Sequence, residues 1–287
     1  MKTLADMLSN EDMACVCNSY EIVGSIAIVR LKETSEECKE RIAEAIMHVH
    51  RNVETVLAQS GAVSGDFRLR KLQHVGGENQ TITVHKESGC RFAVDVERCF
   101  FSPRLSYERM RVARRIRVGE VVVNMFAGVG CFSIIIAKYS NAQKVYSIDV
   151  NPAAVYYMRE NVRINGIYEK VVPLLGDAKE FVDKRLRHAS DRVLMPLPEK
   201  ALEFLPDALL ALRQPGGWIH YYDFEHALKG ENVVGKAKLK VSRRLKDLDV
   251  DFEIPFGRVV RATGPNWYQV VLDIEVLRYV GEWWKHK

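Results

Sequence analysis

The chain has 287 residues and a formal net charge of +5, with 47% hydrophobic and 28% charged residues, the make-up of a globular protein of one large or two ordinary domains. Its longest apolar runs, such as Val121–Val123 and Ile134–Ala137, are far too short to span a bilayer. Met1–Asp6 places charges where a signal peptide carries an apolar core, so it does not read as a signal peptide and a cytoplasmic location is expected.

Residues 1–18 lack periodicity and read as a short tail or a single helix. Ile22–Leu31 reads as a strand. From Ser35 to Leu57, Ile42, Ile46, Val49, Val53 and Val56 recur at the spacing of one helix face. Strands follow at Thr81–His85 and Arg91–Val96, with Glu87-Ser88-Gly89 as the turn, so a small α+β domain over 19–100 is expected. Residues 101–287 form the second domain, where strands and helices alternate. The strands are Glu120–Met125, Lys144–Asp149, Val171–Leu175, Asp191–Met195 and Gly217–Asp223, with helices such as Asn151–Asn165 and Glu199–Leu212 between them. That alternation predicts an α/β fold with a parallel, doubly wound sheet. Asp251–Arg258 and Tyr268–Val276 have no helix between them and predict a closing antiparallel hairpin, the usual finish of class I methyltransferases.

Six cysteines fall in no metal-binding or disulfide pattern, so reduced thiols and no metal are expected. The basic excess is concentrated. Arg104–Arg117 holds six arginines against one acid, and Lys236–Arg244 is a second basic stretch. Both suit RNA phosphates, and both equally suit solvated helix faces.

In Val121–Phe132 a hydrophobic strand runs into Ala127-Gly128-Val129-Gly130, and a helix opens. Gly128 and Gly130 let the backbone pass close under a ligand, and the helix N-terminus offers free N–H groups. Asp149 ends the next strand, 19 residues after Gly130, where a carboxylate accepts from both hydroxyls of a ribose. A dinucleotide site would want a third glycine three residues after the second, and Ser133 stands there. S-adenosylmethionine, which has no pyrophosphate, is the better fit. Asp177, after the third strand, is placed for an adenine amino group or for a helix N-cap. Asn151, before Pro152, is a good N-cap with a supporting cofactor role.

Phe101–Arg109 joins the two halves. On a helix, Glu108 shares the face of Leu105 and Val112, and a carboxylate in an apolar stripe needs a partner. Arg104 is in range, so a structural bridge and a catalytic carboxylate both remain open.

Ser102-Pro103-Arg104-Leu105-x-x-Glu108-Arg109, Asn124–Gly130, Ile148–Pro152 and Asp191–Pro198 together resemble the archaeal and eukaryotic tRNA (guanine-N1)-methyltransferases, which act on the guanosine 3′ of the anticodon. Arg68-Leu69-Arg70, Gly77-Glu78-Asn79 and His85-Lys86-Glu87-x-Gly89 match as well, and the likeness covers residues 19–276. The resemblance implies a class I fold, S-adenosylmethionine as cofactor and tRNA as partner. It makes Glu108 the general base for the N1 proton and Arg68 the donor to guanine O6. It adds Phe101, Arg104, Arg109 and Phe126 to the cofactor-binding set, and makes Pro196-Leu197-Pro198 the loop at the target base. That chemistry is sensible, because N1–H is a poor nucleophile until its proton is taken, and a cation at O6 stabilises charge left on the ring.

Two departures stand out. The family has asparagine where this chain has Pro196, so base recognition can differ. The family's additional N-terminal tRNA-gripping domain is also expected to be missing. The alternatives are the related wyosine-pathway aminocarboxypropyl transferase and a catalytically silent RNA-binding paralogue. Nothing in the sequence sets the oligomeric state.

Overall fold

The computed structural model describes residues 4–17, 20–61 and 63–280. A 3-10 turn at Leu4–Asp6 leads to α1 (Asn10–Cys15), so residues 4–15 form two short helical pieces where a tail or one helix was expected. Ile22–Leu31 is a hairpin and not one strand: β1 (Glu21–Val23) pairs antiparallel with β2 (Ile26–Val29) across Gly24-Ser25. Gly24 has φ +59°, the left-handed conformation that such a two-residue turn demands.

The helix expected over Ser35–Leu57 stops earlier. α2 (Glu36–Val49) is capped by Ser35, and the chain turns and re-enters the sheet as β3 (Thr55–Gln59). Val53 and Val56 fall on the extrapolated helix face by coincidence; β-branched side chains suit extended chain better. β2 and β3 are parallel, with α2 as their crossover, and β4 (Leu72–Gly77), which the sequence reading missed, adds antiparallel to β3. Ile42 and Ile46 of α2 are buried against Ala27, Val29 and Val56.

β5 (Ile82–Glu87) and β6 (Cys90–Asp95) form a separate hairpin. After a 3-10 turn at Pro103–Leu105 comes α3 (Ser106–Ala113). The second half then alternates as expected. Its elements are β7 (Val121–Asn124), α4 (Cys131–Tyr139), β8 (Lys144–Asp149), α5 (Pro152–Ile164), β9 (Val171–Leu175), α6 (Ala178–Phe181) and β10 (Arg192–Met195). It continues through α7 (Leu205–Ala211), β11 (Gly217–His226), α8 (Val233–Asp247), β12 (Val250–Gly264) and β13 (Trp267–Tyr279). α7 is shorter than the Glu199–Leu212 expected, because Pro206 can sit in a first helical turn but not inside a helix.

One seven-stranded sheet results, in the order β12-β13-β11-β10-β7-β8-β9. β7 to β11 are mutually parallel, and β13 and β12 close the edge antiparallel. Apolar clusters cover both faces of this sheet. The β5–β6 hairpin docks on α5. Asn161 Oδ1 accepts from Ala93 N (2.6 Å), its Nδ2 donates to Ala93 O (3.0 Å), and Asn165 repeats the arrangement at Arg91. Asn161 Nδ2 also reaches Val129 O in the glycine turn (3.0 Å), so one side chain ties hairpin, helix and turn together.

Candidate active site

The parallel strands end their carboxyl edge at the cleft where open α/β sheets bind ligands. Gly128 (φ +56°) and Gly130 (φ +90°) turn the chain after β7 into α4. They serve different ends. A Cβ at Gly128 would meet nothing closer than Phe100 O at 3.8 Å, and Gly128 borders the cleft, so a ligand can pass there. A Cβ at Gly130 would sit 2.8 Å from Met158 Cγ, so Gly130 is required for helix packing and does not line the cleft.

Asp149 accepts from Gly128 N (2.6 Å) through Oδ2 and from Asn151 N (2.9 Å) through Oδ1. Burial pushes its carboxyl up, and these two N–H donors work against that shift. Each oxygen keeps a lone pair for a further donor, as two ribose hydroxyls require. Asn151 caps α5 by accepting from Ala153 N (2.9 Å), and its amide donates to Arg98 O (2.8 Å). Its contribution to the cleft is therefore the backbone N–H that orients Asp149. Asp177 caps α6, with Oδ1 accepting from Lys179 N (2.7 Å), and also lines the cleft. The capping and ligand-binding readings of Asp177 are compatible, because its second oxygen makes no capping bond.

Phe126, Pro196 and Leu197 complete the expected wall. Phe126 stacks edge-on against Phe204, a lining residue that sequence reasoning missed. Arg68 enters from the small domain. Its guanidinium lies 4.4 Å above the Phe100 ring and pairs with Glu199 at 3.1 Å, and its Nε is buried without a hydrogen-bond partner. Burial pushes the Arg68 pKa down, with Glu199 opposing. Beside it, Lys200 pairs with Asp66 at 2.8 Å. Two ion pairs thus bridge residues 66–68 to residues 199–200 across the cleft. No sequence spacing signals this, since the partners lie 131 and 134 positions apart.

Four other expected site residues stand off the cleft wall, as does Pro198. Phe101 is buried against the rings of His85 and Phe92. Arg109 is buried, ion-paired with Glu87 and donating to Ser102 O at 2.8 Å. Arg104 turns to Glu21 (2.9 Å), so the Arg104–Glu108 bridge does not form. Glu108 is 1% exposed and is held instead by Arg111 Nε (3.0 Å) and Nη2 (2.7 Å) and by the Tyr222 hydroxyl (2.9 Å). Local geometry explains the exchange: residues 103–105 are a 3-10 turn, which takes Arg104 off the face of α3, while Arg111 is one turn along the same helix.

Arg111 also holds Asp273 through two hydrogen bonds, of 2.6 and 2.9 Å, and Asp273 accepts from His220 Nδ1 at 2.6 Å. His220 Nε2 faces Arg192 (3.0 Å), which forks onto Glu120. Burial presses against the ionised Asp273, but hydrogen bonds from His220 and Arg111 hold its carboxyl well below the usual range. A guanidinium only donates, so His220 Nε2 accepts from Arg192 while Nδ1 donates to Asp273; burial pushes the His220 pKa down, with Asp273 opposing. A continuous buried chain thus runs from Glu108 to Glu120.

The strand order, the glycine turn and the acid at the end of β8 define a class I methyltransferase fold. Residues 83–251 match the TRM5/TYW2 methyltransferase domain, and residues 1–81 match the TYW2 N-terminal domain. The chain is 40% identical over 258 residues to the tRNA (guanine(37)-N(1))-methyltransferase Trm5b of Pyrococcus abyssi, covering 90% of this chain and 74% of that one. It is 38% identical over 277 residues to the tRNA 4-demethylwyosine(37)-methyltransferase Taw21 of Saccharolobus solfataricus, covering 96% and 99%. The crystal structure of Trm5b from Pyrococcus abyssi superposes with a TM-score of 0.83 at 36% identity, covering 96% of this chain and 81% of that one. The chain belongs to the TRM5/TYW2 methyltransferase family and is a transferase. Among the described residues no helix is long and apolar enough to cross a membrane, and no cluster of three or more His, Cys, Asp or Glu is placed to hold a metal ion.

Proposed function

We propose that this protein methylates the base at position 37 of tRNA, with guanine N1 as the target. The observation that carries the reading is Arg68: a guanidinium with a buried, unpartnered Nε on the wall of the same cleft as Asp149 and Asp177. A cation with a spare donor facing two cofactor-type acids suits a base whose carbonyl oxygen gains charge as the ring loses a proton.

The residues present fit S-adenosylmethionine, which supplies an electrophilic methyl group when bound. Asp149 accepts from the ribose hydroxyls, Asp177 offers its second oxygen to the adenine amino group, and Gly128 leaves room for close approach. Arg68 releases Glu199 and donates to O6. The N1 proton passes to a Glu108 oxygen, so that the nitrogen lone pair is available for methyl transfer. Glu108 stands behind the cleft wall, so base entry must open that wall before the proton reaches the carboxylate.

A second reading, methyl transfer to the tricyclic base 4-demethylwyosine, is favoured by Pro196. It offers no side-chain amide where the resembled family carries asparagine, and the Saccharolobus relative is named for that substrate. Incubation with S-adenosylmethionine and tRNA, followed by nucleoside mass spectrometry, separates the outcomes. 1-Methylguanosine from an unmodified transcript is the result expected. Product only from tRNA carrying 4-demethylwyosine favours the second reading. An aminocarboxypropyl adduct, or no adduct on either RNA, overturns methyl transfer.

A further inference from the structure

Beside the cleft, where β1, the start of α3 and β12 meet, arginines outnumber acids. Glu21 is the shared partner of Arg70 (2.8 Å) and Arg104 (2.9 Å). Arg261 of β12 approaches the same spot, with Nη1 3.5 Å from Ser102 Oγ, itself 3.5 Å from Glu21. Its Nε donates to Gln269 Oε1 (2.9 Å). Among the described residues Arg261 forms no ion pair; its hydrogen-bond partners are neutral. Burial, and then the charges of Arg104, Arg68 and Arg70, push its pKa down, with Glu21 opposing. Arg70 is spoken for, because it also donates to Phe101 O at 2.9 Å.

A partly buried guanidinium beside three others, with only neutral groups in hand, is an unfavourable arrangement until an anion arrives. Arg104, with its side chain 44% exposed, leaves the spot open to solvent. We propose that Arg261 and Arg104, with Arg68 alongside, form a binding site for one phosphodiester of the substrate RNA at the rim of the catalytic cleft. The inference rests on the tRNA reading above and deepens it. Neither Arg104 nor Arg261 lines the cleft that contains Asp149 and Asp177, so this charge stands outside the proposed cofactor pocket. The forked guanidinium suits two phosphate oxygens at once. The site would hold the strand while the adjoining base turns in toward Arg68.

The test compares the full-length protein with Arg261→Gln, whose amide can keep a hydrogen bond to Gln269. Fluorescence anisotropy with an anticodon stem-loop RNA should show binding weakened about 10- to 100-fold at moderate salt. The slope of log Kd against log salt should flatten by about one. Calorimetry with S-adenosylmethionine should give an unchanged affinity, which also verifies folding. A stem-loop series with single neutral methylphosphonate linkages should weaken wild-type binding at one linkage and leave Arg261→Gln insensitive there. Unchanged RNA affinity and slope in the variant, with wild type binding and methylating tRNA, overturns the phosphate site alone. Loss of cofactor affinity instead assigns the anion to the cofactor carboxylate and overturns it too. Wild type that binds no RNA removes the tRNA reading and this site together.

Discussion

Replacing Glu108 with glutamine separates its proposed chemistry from its structural load. Arg111 stands between two buried carboxylates, Glu108 and Asp273, and donates to both. Glu108→Gln removes one negative charge but leaves Arg111 neutralised by Asp273. The stability lost is then that of charge-assisted hydrogen bonds, about 1.5–3 kcal/mol, and not the 3–5 kcal/mol or so of an orphaned buried charge. For a chain of this size that corresponds to a fall in Tm of roughly 2–5 °C. Arg111→Gln is the contrast. It strands two facing carboxylates, so its destabilisation should exceed that of Glu108→Gln. If Glu108 takes the N1 proton, single-turnover methylation by folded Glu108→Gln should drop about 10²–10⁴-fold across the pH range, with cofactor and tRNA affinities little changed. A folded variant with near-normal turnover would remove Glu108 from the mechanism. A Glu108→Gln protein less stable than Arg111→Gln would refute the charge assignment within the network.

Three further expectations follow from particular contacts. Asp149→Asn should weaken S-adenosylmethionine binding about 10- to 100-fold, the loss of a charged acceptor for ribose hydroxyls; unchanged affinity by calorimetry would sink that assignment. tRNA affinity should fall with salt, and Arg114→Ala combined with Arg117→Ala should lower the salt slope by about two. Both residues are exposed, whereas Arg109 and Arg111 of the same run are committed to internal acids, so a slope identical to wild type would mean that RNA does not pass this face. Stability should also decline in mild acid. Burial, and then the Arg109 charge, lower His85 from 6.5 to about 4, and its Nδ1 accepts from Gly24 N at 3.2 Å. Below pH 6.5 the unfolded chain binds a proton that the folded ring refuses, so stability is lost as pH falls toward about 4. Discounted for partial exposure, the loss is about 2 kcal/mol, and it should be visible as a lower urea midpoint. His85→Gln should remove most of this dependence; an equal dependence in the variant would assign it elsewhere.

The alternation of the second half was legible because each of β7 to β10 is a short apolar run bounded by turn residues, with Gly128 and Asp177 following parallel strands and Asp149 ending one. The small domain was harder to read. Gly24-Ser25 divides an otherwise continuous apolar run, and its turn is stabilised by Ser25 N donating to Thr83 Oγ1 (2.9 Å), a contact 58 residues away. The end of α2 was masked by Val53 and Val56, which continue a helical spacing although Val53 lies in the connection to β3 and Val56 within it. Arg104 and Glu108 lie at helical pairing distance, yet the 3-10 turn and Glu21 redirect the arginine. The chain from Arg111 through Asp273 and His220 joins residues up to 162 positions apart, and no local pattern reports it.

The asparagine pair of α5 bears on the order in which the chain acquires its structure. A lone two-stranded hairpin is marginal in water, and β5–β6 has a helix where a third strand would be. Asn161 and Asn165 take up the N–H and C=O groups of Ala93 and Arg91 as a neighbouring strand would. Those partners are synthesised 68 and 74 residues later. A nascent chain that has emerged only as far as β8 therefore has β5 held at Gly24 and Ser25 but leaves the outer edge of β6 unpaired, and that edge becomes protected only once α5 has left the ribosome. Assembly thus runs backward along the chain here, with an early segment waiting on a late one. Proteolysis of stalled chains of increasing length should give cleavage within residues 82–95 that disappears abruptly when residue 165 is exposed, and a smooth decline with length would contradict this order.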